Sequence, residues 1–186
     1  RTVEGEKFFH RDLLAASLVS SINTATNMLV SGVEKNRATF VSAMNTQAKQ
    51  WGTRFTTFAD VTGEEDNSVS TAKEYLDIFT AAINNATVSQ VLSAKGYEYN
   101  EFEDIDGKPY HYDDHSNDLQ SKADLSFEIL ESKTGYLYAS GANLAMRIRD
   151  PKTEKMYIVI TLGNADFSRR FDEPQRFVSW ALSRLN

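Results

Sequence analysis

ESKTGYLYASGANLAM, residues 131–146, is the stretch on which the reading of this chain turns. Leu144, Met146 and Ile148 alternate onto one face, a turn follows, and Tyr157-Ile158-Val159-Ile160 forms an apolar run. Alternation at period two, answered by a second apolar run, predicts an antiparallel β-hairpin over 142–163. Lys133-Thr134-Gly135 then lies on or just before its first strand. The triplet is common by chance, so its setting carries the weight.

Outward from the triplet the other elements follow. Tyr97, Tyr99 and Phe102 precede Asp106-Gly107, a hairpin-turn signal that leads to Tyr110 and Tyr112. The four tyrosines are expected to pack across that hairpin. Thr71-Ala72-Lys73-Glu74 has the form of a capping box opening a helix through Ile83. Asn36 to Trp51 predicts an amphipathic helix with Phe40, Val41, Met44, Ala48 and Trp51 on one face and Gly52 as its C-terminal cap. Asp12 to Val30 has helical spacing interrupted near Ser20-Ser21-Ile22-Asn23. Thr53–Asp60 reads as short and β-like, Thr62–Asn67 as a polar turn, and Arg1–Lys7 as a strand end with a turn. A final helix from about Pro174 to Leu185 turns Phe177, Val178, Ala181, Leu182 and Leu185 inward. The sum is an α+β chain: a helical part over about 10–95, then a sheet and C-terminal helix over about 96–186, read as one domain spanning 1–186.

Composition bounds the function. A chain of 186 residues, 41% hydrophobic and 25% charged, suits one domain with a real core. The net charge of −6 gives no concentrated basic surface for nucleic acid. With no cysteine, disulfides and thiolate chemistry are excluded. No run approaches the roughly 18–20 apolar residues of a membrane span.

The motifs carry chemistry only when taken together. Ser21 and Asn23 make a Ser-x-Asn on the predicted inter-helix turn, and Lys133-Thr134-Gly135 comes much later on a strand. Arg11-Asp12-Leu13-Leu14, residues 40–63 (FVSAMNTQAKQWGTRFTTFADVTG), Ser70-Thr71-Ala72 and the segment from Phe171 flank them. In this order and context the chain resembles the serine-type D-alanyl-D-alanine carboxypeptidase family, the low-molecular-mass penicillin-binding proteins. The resemblance implies a penicillin-binding protein/β-lactamase-like transpeptidase fold: an antiparallel sheet with flanking helices plus a helical subdomain, its N-terminal part missing here. It implies acyl-enzyme chemistry on peptidoglycan stem peptides in an exported, periplasmic or extracytoplasmic, cell-wall associated setting. It also implies β-lactam antibiotics as covalent inhibitors of the complete enzyme, and neither metal nor cofactor.

By that resemblance Ser21 relays protons, Asn23 holds a substrate amide or carbonyl, and Lys133 supplies the positive charge. Thr134 donates to the terminal carboxylate, and Gly135 lets the peptide lie against the strand edge. The Tyr136 N–H forms half of an oxyanion hole. Arg170 matches the second carboxylate-binding position; a surface ion pair with Asp172 or Glu173 is the competing reading.

The family's Ser-x-x-Lys nucleophile is not found upstream of Ser21, so it is expected on a separate or missing N-terminal segment. The one match in the chain, Ser70-Thr71-Ala72-Lys73, falls after Ser-x-Asn, and its serine is read as helix-capping. Ile22 and Leu137 depart from the family's usual glycine and threonine. Two further groups are read blandly: Ser116-Asn117-Asp118 as a polar turn or cap, and His111 and His115 with Asp113 and Asp114 as a solvated loop instead of a metal site. The alternative functions are a non-catalytic homologue that binds cell-wall peptides or a protein partner and, ranked below it, a β-lactamase.

Overall fold

A computed structural model of the protein describes residues 3–185. Five helices come first: α1 (His10–Val19), α2 (Asn23–Val33), α3 (Arg37–Gln50), α4 (Ala72–Ile83) and α5 (Ala86–Leu92). A two-stranded hairpin follows, β1 (Gly96–Asn100) against β2 (Tyr110–Asp114). Then come the three-stranded antiparallel sheet β3 (Glu128–Leu137), β4 (Gly141–Arg149) and β5 (Met156–Asn164), in that spatial order, and α6 (Asp172–Leu185).

The sheet explains itself through its two faces. Leu144, Met146 and Ile148 of β4 are buried with Leu119, Phe127, Phe171, Val178 and Leu182, so α6 covers that side. Ala145 points the other way and packs with Phe79, Ile83 and Leu92 of α4 and α5. Alternation is therefore hidden in β4, because both of its faces are covered. A third cluster joins α1 and α2 to the hairpin through Leu13, Ala16, Ala25 and Tyr99. Among the described residues β5 pairs only with β4.

Helix boundaries follow capping chemistry. Asn36 accepts the Ala38 and Thr39 N–H groups at the start of α3, and Gly52 leaves it at a φ of +90°. Thr71 caps α4 by accepting the Glu74 N–H. Glu74 does not close the box, because its buried carboxylate instead accepts from the Arg54 N–H, the Phe55 N–H and the Thr56 hydroxyl. Burial alone would raise its pKa; those hydrogen bonds outweigh burial and hold it below the ordinary value.

Several expectations change. The Lys133 triplet lies inside β3, a third strand ahead of the 141–164 hairpin. Thr53–Asp60 forms no strand, only an isolated bridge from Thr57 to Val69. On α3 only Ala48 is fully buried, and Trp51 is exposed. On α6 Val178 and Leu182 are buried, but Phe177 and Leu185 are exposed. The four tyrosines divide between faces: Tyr99 is buried against His111, while Tyr110 and Tyr112 are exposed opposite Asn100 and Glu98. His111 bonds to Glu101 and His115 is buried, so no solvated loop holds them. Of the expected N-terminal strand end, Arg1 and Thr2 lie outside the described residues; Glu4–Gly5 form the turn, and Lys7 bridges to Glu103.

The segment from Asp114 to Gln120 ties the helices to the sheet. Asn117 is fully buried; its amide donates to Ser132 Oγ at 3.0 Å, and its oxygen accepts the Leu119 N–H. Ser116 N–H reaches the Val19 carbonyl at the end of α1 at 2.8 Å. Asn117→Ala removes one of the two amide donors to Ser132 Oγ, the other being Gln120 Nε2, and leaves the buried Leu119 N–H without its acceptor. We expect it to cost about 2–4 kcal/mol in urea unfolding. A loss under about 1 kcal/mol would show that this crossing does not depend on the asparagine.

Candidate active site

Three chain segments meet at one cleft of about 670 Å³. Ser21 and Asn23 come from the α1–α2 turn, Lys133, Thr134, Gly135 and Tyr136 from β3, and Arg170 from the approach to α6; all seven line it. The central contact joins residues 112 apart in sequence: the Lys133 ammonium donates to Ser21 Oγ at 2.6 Å and to the Thr134 carbonyl at 2.8 Å. Because Ser21 accepts from Lys133, its own O–H proton is free to point into the cleft.

Ser21 sits at a φ of 61°, in the left-handed region. For a residue with a side chain this costs about 1–2 kcal/mol, and such strain persists only where the surroundings fix it. Here they do. The Ile22 N–H returns to the Ala16 carbonyl at 3.1 Å, and the Ser20 hydroxyl donates to the Asp114 carbonyl at 2.8 Å. The turn thus aims Ser21 at β3.

On β3 the register sets Lys133 opposite Ala145, Thr134 opposite Leu144 and Gly135 opposite Asn143. Just ahead of the triplet, the Glu131 carboxylate is buried, takes Ser89 Oγ at 2.6 Å and pairs with Arg147. That ion pair pins β3 to α5 and β4. Thr134 donates to Ser116 Oγ at 2.7 Å. Ser116, read from sequence as part of a polar turn, therefore belongs to the cleft. Asn117 beside it does cap a helical turn, so that reading holds for the asparagine.

Arg170 is held within the cleft wall. Its guanidinium lies 3.9 Å from the Phe167 ring centroid and 4.5 Å from that of Phe171, donates to the Phe167 carbonyl, and stands 3.5 Å from Asp118. Its ion-pair partner is Asp118, not Asp172 or Glu173; Arg169 takes Glu173. Tyr136 packs edge-on against Phe167. The loop Val61–Glu64 closes the other side, shaped by Asp60, whose carboxylate accepts from the Thr62, Gly63 and Glu64 N–H groups. Neither Phe167 nor this loop carried a sequence signal for the site.

Ser70 and Lys73 do not form a nucleophile pair. Ser70 Oγ bonds with Thr56 Oγ1 at 2.8 Å and Lys73 pairs with Asp77. The helix-capping role expected of Ser70 belongs to Thr71. Among the described residues, the acidic group with metal-ligand spacing is Glu6, Asp104 and Asp106, none of which lines the cleft.

The fold and this cleft define the class: the penicillin-binding, DD-transpeptidase type of α+β structure. A Streptomyces DD-transpeptidase variant superposes with a TM-score of 0.85 at 19% identity, over 98% of this chain and 72% of that one. The D-alanyl-D-alanine carboxypeptidase of Mycobacterium tuberculosis gives 0.76 at 19% identity, over 95% and 65%. The family described as D-alanyl-D-alanine carboxypeptidase matches residues 2–165, and the chain belongs to that family. A D-alanyl-D-alanine endopeptidase of Haemophilus influenzae is 28% identical over 161 residues, 86% of this chain and 52% of its own length. One of Pseudomonas aeruginosa is 31% identical over 86 residues, 46% of this chain and 28% of its own. The chain thus spans about half, or less, of the curated relatives it matches.

Burial lowers the Lys133 pKa from 10.5 to about 8. The same environment, burial first and then the Lys133 charge, lowers neighbouring His115 to about 4, so the histidine is neutral. The sign of the lysine's effect on stability follows. Its folded pKa lies below its unfolded one, so below pH 8 the charged lysine burdens the folded state in full. That burden fades as pH rises from about 8 towards 10.5. Lysine Cε shifts followed by NMR should give Lys133 a midpoint near 8. Stability should rise over this pH window more in the wild type than in Lys133→Met. A midpoint at 10.5, or equal slopes, would contradict the assignment.

Proposed function

We propose that the cleft is the proton-relay and carboxylate-binding half of a serine DD-peptidase site that works on peptidoglycan stem peptides ending in D-Ala-D-Ala. The observation that carries this reading is the 2.6 Å contact between Lys133 Nζ and Ser21 Oγ. A nucleophilic serine attacks the carbonyl between the two D-alanines, and the C–N bond breaks as the leaving nitrogen takes a proton. Ser21 can hand over its own proton and regain one from Lys133, whose lowered pKa makes that return easier. Water then hydrolyses the acyl-enzyme.

The remaining roles rest on chemistry at the right places. Lys133 and Arg170 are cations on one cleft, suited to a terminal carboxylate. The paired hydroxyls of Thr134 and Ser116 offer a donor that can turn towards it. Asn23 presents an amide to the peptide chain, and the Tyr136 N–H is assigned to the oxyanion. Gly135 is not required by packing: a Cβ there would meet only Asn143 Cβ, at an ordinary 3.9 Å. Its bareness therefore serves the cleft side, where the substrate strand lies.

The reading takes the nucleophile and its lysine from a Ser-x-x-Lys segment outside these 186 residues, and places the activity outside the cytoplasmic membrane, where peptidoglycan is. Incubating residues 1–186 with a fluorescent penicillin should give no covalent adduct by intact mass. Joined to a Ser-x-x-Lys segment of the family, they should be acylated. Ser21→Ala or Lys133→Ala should slow that acylation by about 10²–10⁴-fold, and Gly135→Val should slow it without lowering the melting temperature. An adduct on Ser70, or rates untouched by these substitutions, would sink the proposal.

A further inference from the structure

We infer that Glu6, Asp104 and Asp106 form a calcium-binding site that fastens the segment before α1 to the tip of the β1–β2 hairpin. One carboxylate oxygen of each lies within 4.8 Å of the other two. Calcium, with oxygen ligands at about 2.3–2.6 Å and a flexible coordination shell, spans oxygen–oxygen separations up to about 5 Å, whereas magnesium demands a near-ideal octahedron and gives up its waters reluctantly.

Acidic clusters are ordinary on protein surfaces, and this one would carry nothing without Glu6. That side chain is 6% exposed, and its Oε1 is sealed from solvent with no hydrogen-bond partner among the described residues. Oε2 is already used, accepting the Val3 N–H at 2.5 Å. A buried carboxylate oxygen without a donor, set among two further carboxylates, is unfavourable unless a cation completes it. Lys7, next to Glu6 in the chain, does not fill that role, since it pairs with Glu103 at 2.8 Å.

The frame around the cluster is fixed from both sides. Asp104 Oδ1 accepts the Gly107 and Lys108 N–H groups, and Asp106 Oδ1 accepts the Lys108 N–H. These bonds orient both carboxylates and leave the Oδ2 atoms for a ligand. The Lys7 N–H donates to the Glu103 carbonyl and the Phe102 N–H to the Lys7 carbonyl, so the two chain segments run in fixed register. Gly5, at a φ of +98°, turns so closely over Ile105 that a Cβ would stand 2.7 Å from its Cδ1. Three carboxylates with the remaining positions filled by water suit the weak class of calcium sites, with Kd on the order of 10⁻⁴–10⁻³ M.

The ion's effect is structural. It anchors the start of α1, whose other end carries the Ser21 turn about 15 Å away. The inference does not rest on the proposed peptidase activity. Calorimetric titration of chelator-treated protein with CaCl2 should show one site. At ten times Kd, calcium should raise the melting temperature by about 3–6 °C over EDTA, and magnesium by less. Asp104→Asn with Asp106→Asn should abolish both the heat and the shift, yet melt in EDTA no lower than wild type, because the carboxylate repulsion is gone. These two side chains are exposed, so this variant decides the matter even if Glu6→Gln does not fold. Absence of binding heat, equal melting with calcium and EDTA, or a calcium shift that survives in the double variant would overturn the site.

Discussion

The cleft depends on one buried polar crossing, the segment Asp114–Gln120 that passes between the helices and the sheet. It holds the end of α1 through Val19 and Ser20 and the middle of β3 through Ser132 and Thr134. Asn117 is its centre, without exposed surface and bonded to both backbone and side chain. A buried amide is costly unless every group is met, and here that requirement fixes position more narrowly than apolar packing could. The strained Ser21 turn and the Lys133 strand, distant in sequence, are each set against this same segment. Their 2.6 Å contact is its consequence.

Charge at the cleft is arranged to be used. Lys133 is half-buried, with a hydroxyl and a carbonyl as its hydrogen-bond acceptors and no carboxylate partner among the described residues. A carboxylate there would hold the ammonium charged and occupied; two neutral acceptors leave it available to a proton or an anion. Glu131, the nearest acid along β3, is turned to Arg147 and Ser89 instead. Arg170 is handled differently. It is spread over two aromatic rings beside Asp118, so its position in the cleft wall is fixed.

The elements with strong local signals were legible in the sequence: α3 with its Gly52 exit, α4 from Thr71, the Asp106-Gly107 hairpin and the 141–164 pair. The seven candidate residues came from motif order and resemblance, and the structure gathers them at one cleft. What was missed has a common cause. The separate strand β3 has both faces engaged along part of its length, which blurs alternation and merged it with the hairpin. Ser116 looked like an ordinary turn serine, because its importance comes from Thr134, 18 residues away. Phe177 and Leu185 were placed inward by period alone, yet the groove beneath α6 is filled by Pro174, Val178 and Leu182.

The acidic excess that argued against nucleic acid has a structural use. In loops that lack regular hydrogen bonding, single carboxylates gather the free N–H groups. Glu74 holds 54–56, Asp60 holds 62–64, Asp150 takes Lys152 and Thr153, and Asp166 takes Ser168. For Glu74 and Asp60 burial opposes ionisation and the donated hydrogen bonds overcome it; for Asp166 the Ser168 hydroxyl is the larger influence; all three are held below the ordinary carboxylate range. Two of these brackets, Glu74 and Asp60, shape the segment that ends in the Val61–Glu64 wall of the cleft. The geometry of that wall therefore rests on ionised carboxylates bonded to backbone, in a chain that has no disulfide to hold its loops.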